Sequence, residues 1–104
     1  MDKYLEWQEQ ERKADEMEQA ADAAVLHEVV TRGAARAARL RWVETKVAEA
    51  DGVCPRPNVE AARQNMSAAA AARVYAETAL GMARGAAVQQ RHKTAEAERA
   101  ALST

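Results

Sequence analysis

One cysteine, two prolines, four glycines, four aromatic residues and no phenylalanine stand in a chain of 104 residues. A single cysteine, Cys54, excludes an intrachain disulfide and a CxxC metal framework. The scarcity of large apolar side chains limits the core. Alanine supplies 27 of the 50 residues counted as hydrophobic, against 5 Leu and 9 Val, and isoleucine is absent. Burying an alanine removes far less surface from water than burying a leucine, so a compact multilayer core is hard to build. No apolar run approaches the roughly 20 residues that span a bilayer. With 15 basic against 16 acidic residues, the net charge of -1 argues against a general polyanion binder.

Abundant Ala, Glu, Arg and Gln are strong helix formers and point to an all-α fold. Both prolines fall in "DGVCPRPN", Asp51 to Asn58. Gly52 suits a helix C-cap, and Pro55 and Pro57 cannot continue the helix. Asn58 is a good N-cap for a second helix, with Glu60 in its first turn. The expectation is one domain over residues 1–104: a helix over about 3–50, a turn at 51–58 and a helix over about 59–102. Each helix would be on the order of 65 Å long. The pair reads as a long antiparallel, coiled-coil-like hairpin.

Periodicity assigns the inner faces. On the first helix the reading takes Val25/Leu26, Val29, Gly33, Leu40, Val43, Val47 and Ala50, extended through Trp7, Ala14 and Ala21. On the second it takes Val59, Ala62, Met66, Ala69, Ala76, Leu80, Ala83 and Ala87. Residues 1–28 hold nine acids and three bases, so folding at about residue 55 sets them beside Arg84, Arg91, Lys93 and Arg99. Second stripes remain: Ala61, Ala68, Ala72, Ala79 and Ala86 with Tyr75 and Met82, and Met17, Ala24, Ala35 and Trp42. One partner helix cannot cover both, so a four-helix bundle by dimerisation, or packing in a larger assembly, is expected. Trp42, Tyr75, Met82 and Met17 are the partner-binding candidates, because large aromatics dominate interface energies.

In "TRGAARAARLRW", Arg32, Arg36 and Arg39 share a helical face and are candidates for anion binding. The alternative is that their stems cover alanines while their heads meet acids, Glu77 lying near Arg32 in the folded-back register. Stacking aromatics and a recognised nucleic-acid motif are missing, which argues against nucleic acid as a partner. The residues three before His27 and His92 are Ala24 and Gln89, so the Glu-x-x-His pattern of bundle metal sites is missing and no cofactor is expected. Cys54-Pro55 resembles the Cys-Pro element of some haem-regulated proteins, but no second ligand accompanies it, and it reads as a turn residue. Gly81 and Gly85 in "GMARG" give a small-xxx-small spacing suited to close helix approach.

No nucleophile–base pair or phosphate loop can be assembled, so a non-catalytic protein is expected. The leading expectation is a helical protein–protein interaction module, acting as an adaptor or small accessory subunit that binds itself or another helical protein. An anion-binding regulator is the alternative. Secreted or phage-type hairpin effectors and secretion chaperones form a third class. The WXG-type secreted hairpins carry Trp-x-Gly in the turn where this chain reads Asp51-Gly52-Val53-Cys54, so membership is not inferred. The acidic start "MDKYLEWQEQERKADE" lacks the features of a signal peptide, and an intracellular, cytoplasmic location is the expectation.

Overall fold

Two stretches without proline, on either side of a short breaker-rich turn, become two helices. The computed structural model describes residues 2–103 and contains α1, Lys3–Ala50, and α2, Arg56–Leu102, with no strand among the described residues. Asp2 caps α1, its carboxylate accepting from the Tyr4 amide at 2.9 Å. At the other end Gly52, at φ 73°, takes the left-handed conformation that stops the helix. The Gly52 amide donates to the Glu49 carbonyl at 2.9 Å and the Val53 amide to the Ala48 carbonyl at 2.8 Å, which satisfies two carbonyls of the last turn.

The second helix begins three residues earlier than the sequence led us to expect. The Pro55 carbonyl accepts from the amides of Asn58 at 3.0 Å and Val59 at 3.4 Å, so Pro55 rather than Asn58 stands at the helix start. Pro57 lies within the first turn, where a missing N–H leaves no bond unmade.

The all-α hairpin contains two compact units, Met1–Val25 with Thr78–Thr104, and Leu26–Glu77. In the first unit the seam positions, buried or half-buried, are Trp7, Gln10, Ala14, Met17, Ala21 and Ala24 on α1, flanked by half-buried Lys13, Glu18 and Val25, and Leu80, Ala83, Ala87, Gln90, Thr94, Ala97 and Ala101 on α2. In the second they are Glu28, Thr31, Ala35, Ala38, Trp42 and Thr45 on α1, and Val59, Ala62, Met66, Ala69 and Ala76 on α2, with Ala48, Glu49 and Glu60 half-buried near the turn. Apart from the exposed Arg73 between Ala69 and Ala76, the seam positions advance in alternating three- and four-residue steps, the heptad spacing of a coiled-coil seam.

The α2 seam is the one read from the sequence; the α1 seam is not. Leu26, Val29, Leu40, Val43 and Val47, assigned to the inner face, are all exposed, Leu26 at 69% and Leu40 at 58%. Met17, Ala24, Ala35 and Trp42, assigned to the outer face, lie half-buried in the seam. The physical reason lies in continuity. In three–four steps the aliphatic row runs back through Asp22, Gln19, Asp15, Arg12 and Gln8, none of them apolar. The row through Trp7, Met17 and Trp42 carries just one ionised residue from 7 to 45, Glu28. Gly33 accordingly stands on the outward row, and a Cβ there, or at Gly81 or Gly85, would meet nothing within 4 Å. The close approach expected at these glycines is not used within the hairpin.

Because alanine is the commonest residue of the seam, its polar members fix the alignment. Gln90 is 3% exposed, and its side-chain amide donates to Gln10 Oε1 at 2.6 Å and to the Gln10 carbonyl at 3.2 Å. The Thr94 hydroxyl donates toward the same Gln10 carbonyl at 3.1 Å. A slip by one heptad would break this cluster, whereas alanine faces alanine in many registers.

Two substitutions test these contacts. Gly52→Ala forces a Cβ into the left-handed region and should cost about 1–2 kcal/mol, read as a lower urea midpoint at unchanged slope. Gln90→Ala should cost about 1–2 kcal/mol for the lost buried hydrogen bonds, read in the same urea titration.

Candidate protein-docking face and arginine groove

In the second unit, Leu26, Val29, Val30, Leu40, Val43 and Val47 stand on the side of α1 opposite its seam residues Glu28, Thr31, Ala35 and Trp42. Val and Leu occupy a helix surface comfortably, but six of them within 22 residues form an aliphatic strip in two clusters, 26–30 and 40–47, and exposed apolar patches on proteins are usually sites of contact. Arg36 interrupts the strip, and Arg32 and Arg39 border it.

These arginines also line an open groove of about 740 Å³, bounded by Arg32, Ala35, Arg36 and Arg39 of α1 and Met66, Ala70, Arg73, Val74 and Glu77 of α2. Its walls are cationic and its floor largely apolar. Arg32 is committed. Its Nε donates to Glu28 Oε1 at 3.1 Å and its Nη2 to Glu28 Oε2, a bidentate pair four residues apart on one helix. Glu28, 7% exposed, is a carboxylate held in the seam. The hydrogen bonds from Arg32, reinforced by its charge attraction to Glu28 and to Glu77, push the Arg32 pKa above its already high ordinary value. The expected nearness of Glu77 to Arg32 is therefore present. Arg73, opposite, donates to Glu77 at 3.1 Å. Arg36 and Arg39 make no hydrogen bond or ion pair among the described residues and are exposed.

The other sequence candidates fall in separate places. Trp42 and Met17 sit in the seam, each in its own unit, and the Trp42 indole N–H is out of water without an acceptor. The expectation that their side chains point away from α2 is corrected by this burial. Tyr75 and Met82 are 80% and 72% exposed, on the outward side of α2 as expected. His27 and His92 are both exposed. Cys54 is half-buried in the turn, its thiol 3.7 Å from the Pro55 carbonyl. Among the described residues no group of three or more His, Cys, Asp or Glu is placed to hold a metal ion, and no helix is long and apolar enough to cross a membrane.

Sequence reasoning missed Arg73 as a groove residue and Glu28 as the partner of Arg32. The second was available from the four-residue Glu-to-Arg spacing, which favours pairing on a helix. No family model, curated protein or solved structure matches the chain.

The three arginines should separate in a stability series. Arg32→Ala removes the bidentate partner of a buried carboxylate and should lower the melting temperature more than either of the other two. Arg36→Ala and Arg39→Ala should stay within about 0.5 kcal/mol of the parent, as exposed substitutions do. Thermal melts of the three variants check the order.

Proposed function

We propose that this chain is a non-catalytic helical interaction module, an adaptor or small accessory subunit that works by helix-on-helix contact. The observation that carries the reading is the exposed aliphatic strip of α1, Leu26 to Val47, on the side of the helix away from its own seam. Large aliphatic side chains left in water are a standing cost that a docked helix removes, at about 25 cal/mol for each Å² of apolar surface covered. The seam explains why the hairpin does not cover them itself: α2 already occupies the row of Trp7, Met17 and Trp42. Tyr75 and Met82, exposed on α2, offer further apolar area in their respective units. The arginines that border the strip suit a partner helix whose own apolar stripe is flanked by carboxylates, since opposite charges at the rim set orientation and association rate.

The test is the pair Leu40→Asp with Val47→Asp. Circular dichroism should show helicity close to that of the parent, because neither side chain is in the seam. Solution mass and affinity capture from the source cells, run beside the parent, should show association lost. Identical masses and identical captured proteins for parent and variant would overturn the reading.

A further inference from the structure

The aliphatic strip of α1 lies wholly within the unit Leu26–Glu77. Its spacing is that of a coiled-coil seam: Leu26, Val29, Gly33, Arg36, Leu40, Val43 and Val47 follow one another in alternating steps of three and four residues, as a and d positions do. Five of the seven are aliphatic and 44–69% exposed. The row that packs on α2 in this unit, Glu28, Thr31, Ala35, Ala38, Trp42 and Thr45, keeps the same heptad period. A helix wound to hold that row against α2 also holds the strip in line along its opposite side. The strip is thus a second seam, already wound.

The residues on either edge of this seam select what can lie on it. Arg32, Arg39 and Lys46 run along one edge at seven-residue intervals, and Val30, Ala37 and Glu44 along the other. In a parallel pair of helices, an edge residue meets the one five positions later on the opposite edge of its neighbour. For two copies of α1 in register, Arg39 then meets Glu44 of the second copy, twice by symmetry, and Arg32 meets Ala37. Arg39 and Glu44 make no hydrogen bond or ion pair among the described residues, and both are exposed. Lys46 and Asp51 repeat the spacing one heptad on. Lys46 Nζ lies 4.0 Å from Glu49, and the Asp51 amide still closes a helical bond to the Val47 carbonyl at 3.1 Å. An antiparallel pair with strip on strip would instead bring the two arginine edges together, so the charges favour the parallel orientation.

In that register Leu26, Val29, Leu40, Val43 and Val47 each cover their own counterpart, and the strip is buried against itself. One layer is charged, where Arg36 meets Arg36. Gly33, one turn earlier, has open space where a Cβ would stand. It leaves the arginine stem room to lie along the seam while the guanidinium reaches water at the edge. A glycine in a helix interior costs about 1 kcal/mol relative to alanine, and no contact within the hairpin requires this one. A single charged layer also fixes the register. A slip by one heptad would set Arg36 of one copy against Val29 and that of the other against Val43, making two charged layers from one.

We infer that the strip is covered by the same strip of a second copy of this chain, α1 parallel to α1 and in register over residues 26–47, with Arg39 of each copy on Glu44 of the other and the two Arg36 side chains in one charged layer. The inference rests on the interaction-module reading and specifies its partner. The contact is isologous, with its two-fold axis along the helices, and it closes at two chains.

Sedimentation of the full chain over a concentration series, with helicity as the folding control, tests the inference. The parent should form dimers. Arg39→Glu and Glu44→Arg should each weaken them about three- to tenfold, and the two substitutions together should restore the parent's affinity, because every edge pair is again opposite in charge. Arg36→Leu should dimerise about tenfold more tightly than the parent, since an aliphatic layer replaces the charged one. A spin label on Cys54, the one cysteine, reads the orientation. The parallel dimer places both labels at the same end, whereas an antiparallel pair about Arg36 would hold them about 50 Å apart at 1.5 Å per residue. A monomeric parent, a double charge swap as weak as the single variants, a weaker Arg36→Leu dimer, or labels at the antiparallel distance would each overturn the inference. If the parent is monomeric yet captures another protein through Leu40 and Val47, the second-copy inference falls and the interaction-module reading stands. If Leu40→Asp with Val47→Asp shares both the mass and the captured proteins of the parent, both fall.

Discussion

A helix can turn only one row of side chains continuously toward a neighbour, and in this hairpin that row must stay almost free of ionised residues along its whole length. The requirement comes from the cost of burying charge, several kcal/mol for an uncompensated ion even after relaxation. On α1 the row through Trp7, Met17 and Trp42 meets it, with Glu28 as its one ionised member between 7 and 45. The row through Leu26, Leu40 and Val47 contains more apolar surface per turn but runs into Asp22, Asp15 and Arg12. Length wins over local hydrophobicity: pairing that stops halfway would leave half of α2 uncovered.

That choice of row determines the remaining features. A seam of alanines allows the backbones to come close but buries little area for each residue, and it distinguishes poorly between registers. The Gln10–Gln90–Thr94 cluster supplies the distinction by hydrogen bonds that form in one alignment. The aliphatic residues displaced from the seam become the exposed strip. The same residues that would have been an ordinary core in a row without charges are thereby left as a surface in search of cover. Function, in the reading proposed for this chain, is the consequence of a core that could not be made from its largest aliphatic side chains.

The sequence showed the fold in outline because its strongest signals are local. Gly52 marked the end of α1 through the left-handed backbone it alone adopts without strain, and the clustered prolines marked the turn. The start of α2 was placed late because Asn58 is a good cap in isolation, while Pro57 is equally at home inside a first turn. The α1 seam was misassigned for a different reason. Successive four-residue steps from Ala21 through Val25 and Val29 to Gly33 drift around the helix by about 40° each at 100° per residue. Such a chain of steps moves from the seam row onto the outward row while each step still looks helical. Trp42 and Met17 were then counted as outward. Tyr75, Met82 and the shared face of Arg32, Arg36 and Arg39 were legible, because their positions need only one helix and no choice between rows.

Glu28 shows how the two surfaces are connected. It is the carboxylate that the seam tolerates, and it is tolerated because Arg32, one turn on, reaches back with two nitrogens and carries the charge outward to the groove. A leucine at 28 would fill the seam as well, and exchanges of buried ion pairs for apolar groups are often neutral or stabilising. What such an exchange would lose is the fixed position of the Arg32 guanidinium, which Glu28 holds at the mouth of the groove beside Arg36 and Arg39. The acid in the seam thus orders the most constrained member of the cationic row, while the free arginines beside it retain the mobility to meet carboxylates from outside. Stability of the hairpin and readiness of its face for a partner depend on the same pair of residues.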